Sequence, residues 1–272
     1  MRSQPSARVL AAFGVAQSVP VPLGGGQGTS WRAGDLVLKP TEADADELEW
    51  QIGLHSQISH DGFRLARTRR AADGSVTFDG WSAAEYLSGS HRHRSWPDII
   101  AAGDRLHLAM RDVMRPAFLD RRSGPWAAAD RVAWNEIPAE EFRGVPYLPQ
   151  LTSALRPAAG PSQVIHGDLT GNVLFDDRLP PAIIDLSPYW RPAPYAAAIV
   201  VADALVWEGA DRQILHAVRH IDDFGQYLVR ALIFRIVTDW ILTRGGHGEA
   251  KGDLWADAVN LAGRLATAAR NS

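Results

Sequence analysis

Short apolar and β-branched runs broken by glycine, proline and aspartate fill the first third of the chain, and apolar residues at helical spacing fill most of the remainder. Val9, Leu10, Phe13 and Val15 predict a short N-terminal helix. Residues 19–22 then run extended into Gly24-Gly25-Gly26-Gln27-Gly28-Thr29-Ser30, and strands follow at residues 31–32 and 36–39, turned at Ala33-Gly34-Asp35. Leu48, Ile52, Leu54 and Ile58, behind an acidic start, predict a helix over residues 42–58. Two further strands are expected at 63–70 and 75–81, the Asp73-Gly74 pair marking a hairpin between them. Beyond residue 90 the period becomes helical at 98–114, 148–156, 195–208, 211–221, 224–243 and 254–269, while 115–145 reads as irregular.

One stretch interrupts the helical part. Residues 164–186 read VIHGDLTGNVLFDDRLPPAIIDL, two short strands with polar residues at their ends. Val173-Leu174-Phe175 follows Asn172, Ala182-Ile183-Ile184 leads into Asp185, and Asp176-Asp177 and Pro180-Pro181 punctuate the turn. Such a hairpin brings Asp168, Asn172 and Asp185 to one end of a small sheet. Two carboxylates and an amide suit Mg²⁺, which takes one or two carboxylates and leaves its other positions to water and substrate phosphates. The chemistry that follows is phosphoryl transfer. The glycine run fits that chemistry, since residues without Cβ let backbone N–H groups come close to phosphate oxygens, although a flexible surface loop would read the same.

Composition narrows the partners. The chain has 272 residues, 46% of them hydrophobic, enough for a large core and two lobes of ordinary size. A net charge of -3 argues against a nucleic-acid partner, and no apolar run is long enough to cross a membrane. With no cysteine there is no disulfide framework or thiolate site, which fits a cytoplasmic protein. Arg2 and Arg8 before the run 9–16 give a weak leader-like pattern, for which a short helix is the preferred reading. His91-Arg92-His93-Arg94 reads as a solvated loop, and His107 as a core histidine.

His166-Gly167-Asp168-Leu169, then Asn172, then an apolar strand into Asp185, resembles the aminoglycoside phosphotransferase and choline kinase-like families. The resemblance implies an α+β, two-lobed protein kinase-like fold, with a β-rich nucleotide-binding lobe over residues 1–86 and a larger helical lobe over 87–272. It implies ATP and Mg²⁺ as cofactors and a small-molecule hydroxyl as acceptor. By the same resemblance Asp168 is the catalytic aspartate, and Asn172 and Asp185 hold the metal. Gly25, Gly26, Gly28, Thr29 and Ser30 cover the phosphates. Lys39 pairs with them, Glu49 (in preference to Glu47) holds Lys39 forward, and Glu85, Tyr86 and Leu87 lie along the adenine. Asp203 would tie down the catalytic loop through backbone N–H groups, and Trp190 or Trp207 would stack on the acceptor. The loop departs from the family pattern in one respect: three residues rather than four separate Asp168 from Asn172. That departure also leaves open a nucleotide-binding pseudokinase.

Overall fold

The computed structural model describes residues 4–24, 28–41, 44–244 and 252–268. An antiparallel sheet forms first, from β1 (Val21–Pro22), β2 (Trp31–Ala33), β3 (Leu36–Pro40), β5 (Thr68–Arg69) and β6 (Trp81–Glu85), in the order β1-β2-β3-β6-β5. Alternation along β3 buries Leu36 and Leu38 and leaves Lys39 on the other side. Those leucines meet Val9, Leu10 and Phe13, the first two from helix α1 (Ala7–Ala12), which Ser6 caps by accepting from the Val9 N–H. A small core of its own therefore backs this sheet.

The hairpin expected at Asp73-Gly74 lies one turn further along. Residues 71–75 make a compact turn in which Asp73 accepts from the Ser75 N–H, and residues 75–80 form no named strand. Phe78 and Trp81 exchange both backbone hydrogen bonds at 2.9 Å around Asp79 (φ 48°) and Gly80 (φ 75°). Two consecutive positive φ angles make the tight mirror-image turn that a right-twisted hairpin favours, and Asp-Gly is its preferred pair. The strand thus begins at Trp81, where the expected strand ends, and runs through residues 82–85, the start of the stretch that the resemblance lays along the adenine.

Helix α2 (Ala45–Gln57), capped by Asp44, crosses behind the sheet, but its buried Leu54 packs with Ile58, Phe63 and Leu65 in the larger core. Strand β4 (Arg64–Leu65) accordingly leaves the small sheet and pairs in parallel with β9 (Ala182–Ile183), which pairs in turn with β8 (Val173–Leu174). The remaining strands, β7 (Gln163–His166) and β10 (Pro188–Arg191), form an antiparallel pair.

Helices α3 (Trp96–Met110), α4 (Pro125–Ala133), α5 (Leu148–Ser153), α6 (Pro194–Trp207), α7 (Phe224–Arg244) and α8 (Ala256–Ala268) make up the rest, with α4, α6 and α8 packed around α7. Helix α4 corrects the expectation of irregular chain at 115–145. Gly124 and Pro125 look like breakers, yet proline is well suited to the first turn of a helix, where its missing N–H has no partner to lose. The segment expected as a helix at 211–221 is instead a 3₁₀ helix, Arg212–Val218. No helix among the described residues is long and apolar enough to cross a membrane.

Candidate active site

The hairpin β8–β9 places Asn172 and Asp185 side by side: Val173 is in register with Ile183, and the Ile184 N–H donates to the Asn172 carbonyl at 3.0 Å. Asp185 itself has φ 50°, an uncommon conformation for a residue with a Cβ and one that clusters at functional positions. Its carboxylate accepts a hydrogen bond from the Lys39 ammonium, joining the small sheet to the hairpin. Strand register also puts Trp31 opposite Leu38, so Ser30 stands at the same end of the sheet as Lys39. Gly28 has a positive φ of 66°. Gly25 and Gly26 lie outside the described residues.

The loop between β7 and β8 holds Asp168. Its brevity is absorbed by a tight turn, in which the Asn172 N–H donates to the Leu169 carbonyl at 2.9 Å and Gly171 takes φ 78°. The Asn172 amide then donates to the Asp168 carbonyl at 2.7 Å and, more weakly, to Asp168 Oδ2 at 3.3 Å. His166, fully buried, works as a staple: its Nε2–H donates to the Ile184 carbonyl at 3.2 Å, and its Nδ1 accepts from the Asp168 N–H at 3.1 Å. One imidazole thereby fixes the loop that carries Asp168 to the strand that leads into Asp185. Gly167 has a separate reason: a Cβ there would stand 2.4 Å from the Tyr189 ring.

Behind His166 sits His107, whose Nε2 accepts from the His166 N–H at 3.0 Å and is therefore unprotonated. Burial pulls its pKa down from 6.5 to about 3, and burial lowers that of His166 as well. The sign follows directly. A histidine that cannot take a proton when folded, but can when unfolded, contributes stability above pH 6.5 that is lost as pH falls toward the folded value. Stability should therefore fall below pH 6.5 by up to about 1.4 kcal/mol per pH unit for His107. Urea unfolding across that range should show the slope, and His107→Gln, which keeps an acceptor but cannot titrate, should remove about one proton's worth of it.

A buried ion network flanks Asp168, and nothing in the motif reading announces it. Arg235 on α7 donates to Asp168 Oδ1 at 2.9 Å through Nη2 and to both oxygens of Asp203 on α6 at 2.7 and 2.6 Å. Asp203 is 2% exposed and Arg235 8%. Burial pushes the Asp203 carboxyl up while Arg235 pulls it down, and the two carboxylates raise the guanidinium further. Asp203 thus steadies the loop that carries Asp168 through an arginine rather than through backbone N–H groups. Asp168 remains 45% exposed at its side chain, Arg235 holding Oδ1 and the Asn172 amide reaching Oδ2 only at 3.3 Å.

The partner expected for Lys39 needs correcting. Glu49 turns away to Arg70, with which it makes a two-pronged ion pair that lowers its pKa. Helical geometry explains this, because Glu47 and Glu49 are two residues apart and point to different faces. Glu47 is the buried one, 8% exposed; Lys39 and Arg122 both draw its pKa down against the upward push of burial. Its hydrogen bond at 3.3 Å comes from Arg122, which also donates to the Pro188 carbonyl. Glu85 ends β6, and the N–H groups of Glu85 and Tyr86 donate to the carbonyls of Arg67 and Asp35 at 2.9 and 2.8 Å. The Trp207 ring packs edge-on against Trp255 and lies 5.9 Å from the Arg235 guanidinium, whereas Trp190 is part of β10 and packs on the core.

With this geometry in hand, comparison with known proteins is decisive for the family. The profile of the phosphotransferase enzyme family, APH, matches residues 22–189, more than half of the chain. The chain belongs to that family. Among solved structures it is similar to a choline/ethanolamine kinase family protein from Mesorhizobium loti (15% identity, TM-score 0.58, covering 98% of this chain and 94% of that one). It is also similar to amicoumacin kinase in complex with AMP-PNP, Ca²⁺ and Ami (14%, 0.57, 93% and 88%), and to spectinomycin phosphotransferase in complex with ADP and spectinomycin (12%, 0.54, 97% and 97%). No curated protein sequence matches. The structural likeness extends over nearly the whole chain at low identity, so it is the α+β kinase-like fold that is shared. Within this APH phosphotransferase the family match contains Lys39, Asp168, Asn172 and Asp185 and ends before Asp203 and Arg235.

Proposed function

We propose that this phosphotransferase moves the γ-phosphate of ATP to a hydroxyl of a small molecule, with Mg²⁺, in a cleft between residues 1–86 and the helical remainder. The observation that carries the reading is the convergence of Lys39, Asn172 and Asp185 beside a half-exposed Asp168. In this reading Asp168 accepts the acceptor's proton on Oδ2, while Arg235 fixes Oδ1. Lys39 holds phosphate oxygens, and Glu47 rather than Glu49 supports it. Gly28, Thr29 and Ser30 present backbone to the phosphates. Adenine lies along Glu85, Tyr86 and Leu87, where carbonyls and the Leu87 backbone do the recognition because two N–H groups are already spent.

The donor set fits a magnesium ion. No group of three or more histidine, cysteine, aspartate or glutamate side chains suited to a metal occurs among the described residues, but Asp185 and the Asn172 oxygen supply the few hard oxygens that Mg²⁺ takes from protein when substrate phosphates complete the shell. When bound, the ion would neutralise charge developing on the transferred phosphoryl group. Asp185 brings a full charge and Asn172 an amide already donating to the catalytic loop. Asp185→Asn should therefore weaken Mg²⁺-dependent nucleotide binding more than Asn172→Ala does, and a calorimetric titration giving equal losses would reverse that ranking.

The function is tested by turnover of MgATP against a panel of aminoglycosides, amino alcohols and sugars, followed as ADP release and as phosphorylated product. Product formation with at least one acceptor is expected. Nucleotide binding without turnover of any acceptor class would favour the pseudokinase.

A further inference from the structure

The backbone on either side of Asp185 is held at four carbonyls. That of Ile184 accepts from His166 Nε2 at 3.2 Å, that of Leu186 from the Gln51 amide at 3.3 Å, that of Ser187 from the Gly167 N–H at 2.9 Å, and that of Pro188 from Arg122. Two of these donors, His166 and Gly167, stand at the end of β7 and the start of the loop that carries Asp168. The other two lead to α2. Gln51 stands on that helix, and Arg122 donates in addition to Glu47, one turn earlier on the same helical face. A residue with a Cβ keeps a φ of 50° only where its surroundings impose it, and for Asp185 part of that constraint comes from α2.

Gln51 uses both ends of its amide. The nitrogen donates to the Leu186 carbonyl, and the oxygen accepts from Thr68 Oγ1 at 2.9 Å. The amide can face only one way, because the Leu186 carbonyl has no proton to give. Thr68 on β5, Gln51 on α2 and Leu186 therefore form one chain of hydrogen bonds that runs from the small sheet to the residue after Asp185. Strand register puts Thr68 opposite Ala84 and Ala84 opposite Val37, which shares its face with Lys39. The same face of the sheet thus reaches Asp185 twice, by charge through Lys39 and by backbone geometry through Gln51.

We propose that Gln51 is a positioning residue for Asp185, passing the placement of the small sheet to the backbone that aims this carboxylate. The role rests on the proposed reading of Asp185 as a magnesium ligand. Gln51 acts through its hold on Leu186, and partners at that remove from a metal typically contribute about 10–100-fold to its affinity. Glutamine suits the task because it supplies one acceptor and one donor at the two ends of a single rigid plane.

The test is equilibrium binding of AMP-PNP to the full chain, measured in Mg²⁺ and again in EDTA, so that the contribution of the metal ligand is read as the ratio of the two affinities. Gln51→Glu keeps an acceptor for Thr68 but loses the donor to Leu186, and should lower that ratio by about tenfold or more while leaving affinity in EDTA unchanged. Thr68→Val, which exchanges a hydroxyl for a methyl, frees the amide and should give a smaller loss of the same kind. In an Asp185→Asn background Gln51→Glu should add nothing, since no carboxylate is left to aim. Melting temperature establishes that each variant is folded, and Thr68→Val carries the test if Gln51→Glu is not. An unchanged ratio, or equal losses in Mg²⁺ and EDTA, overturns the proposal, the latter by showing a structural role alone. Binding of the unaltered chain that is indifferent to Mg²⁺ would overturn the reading of Asp185 itself, a result distinct from either.

Discussion

Asp168→Asn is expected to lower turnover by about 10²–10⁴-fold while leaving nucleotide affinity within a few-fold. The separation follows from the geometry. Asparagine keeps an oxygen that can accept from Arg235, so the side chain stays where it is, but it has no basic oxygen for a hydroxyl proton. Lys39→Ala should behave differently and weaken both, because the ammonium would touch phosphate in the ground state as well as in the transition state. The measurement is kcat beside nucleotide Kd for each variant with the same acceptor. If Asp168→Asn left kcat intact in an active preparation, Asp168 would lose its role as base, and with it the reason to expect Arg235 at its side.

Arg235→Met should cost about 3–5 kcal/mol of stability, the penalty for leaving a buried carboxylate without its partner. Asp203 is the group left behind. A control isolates it: Arg235→Met combined with Asp203→Asn should regain a large part of the lost stability, since a neutral amide tolerates burial better than a lone charge. Activity should not return with it, because Asp168 Oδ1 still lacks its donor. Thermal or urea unfolding measured beside kcat separates the two effects. A double variant as unstable as the single one would show that Arg235 matters through packing against α6 and α7 rather than through charge.

The sequence displays its motif residues and hides their supports. Asp168, Asn172 and Asp185 stand out because each ends an apolar run at a turn, and local pattern alone carries that information. Arg235 does not stand out: an arginine in a long helix normally faces water, and only the three-dimensional placement of α7 among α4, α6 and α8 shows that it points inward. Glu47 and Glu49 could not be ranked by position along α2, because what separates them is which face meets Arg122 and which meets Arg70. Two Asp-Gly pairs competed for the hairpin, and both look alike without the backbone angles that distinguish Asp79-Gly80. The helix at Pro125–Ala133 was obscured by residues that stop a helix in its middle and help it at its start.

The allegiance of α2 bears on how the cleft can open. Leu54 and Ile58 sit in the core shared with the helical part, Arg121 grips Asp44 and Asp46, Arg122 grips Glu47, and β4 is stitched to β9. The helix is therefore anchored at its head and along its length to the helical part, and just past its tail to the strand that leads into Asp185. A sheet hinged at the stretch after Glu85 could move along α2 only by exchanging the Glu49–Arg70 ion pair and the Thr68–Gln51 hydrogen bond that join it to the helix. Motion of that kind is shear, in which side chains along the sliding seam exchange neighbours while the backbone on either side keeps its shape.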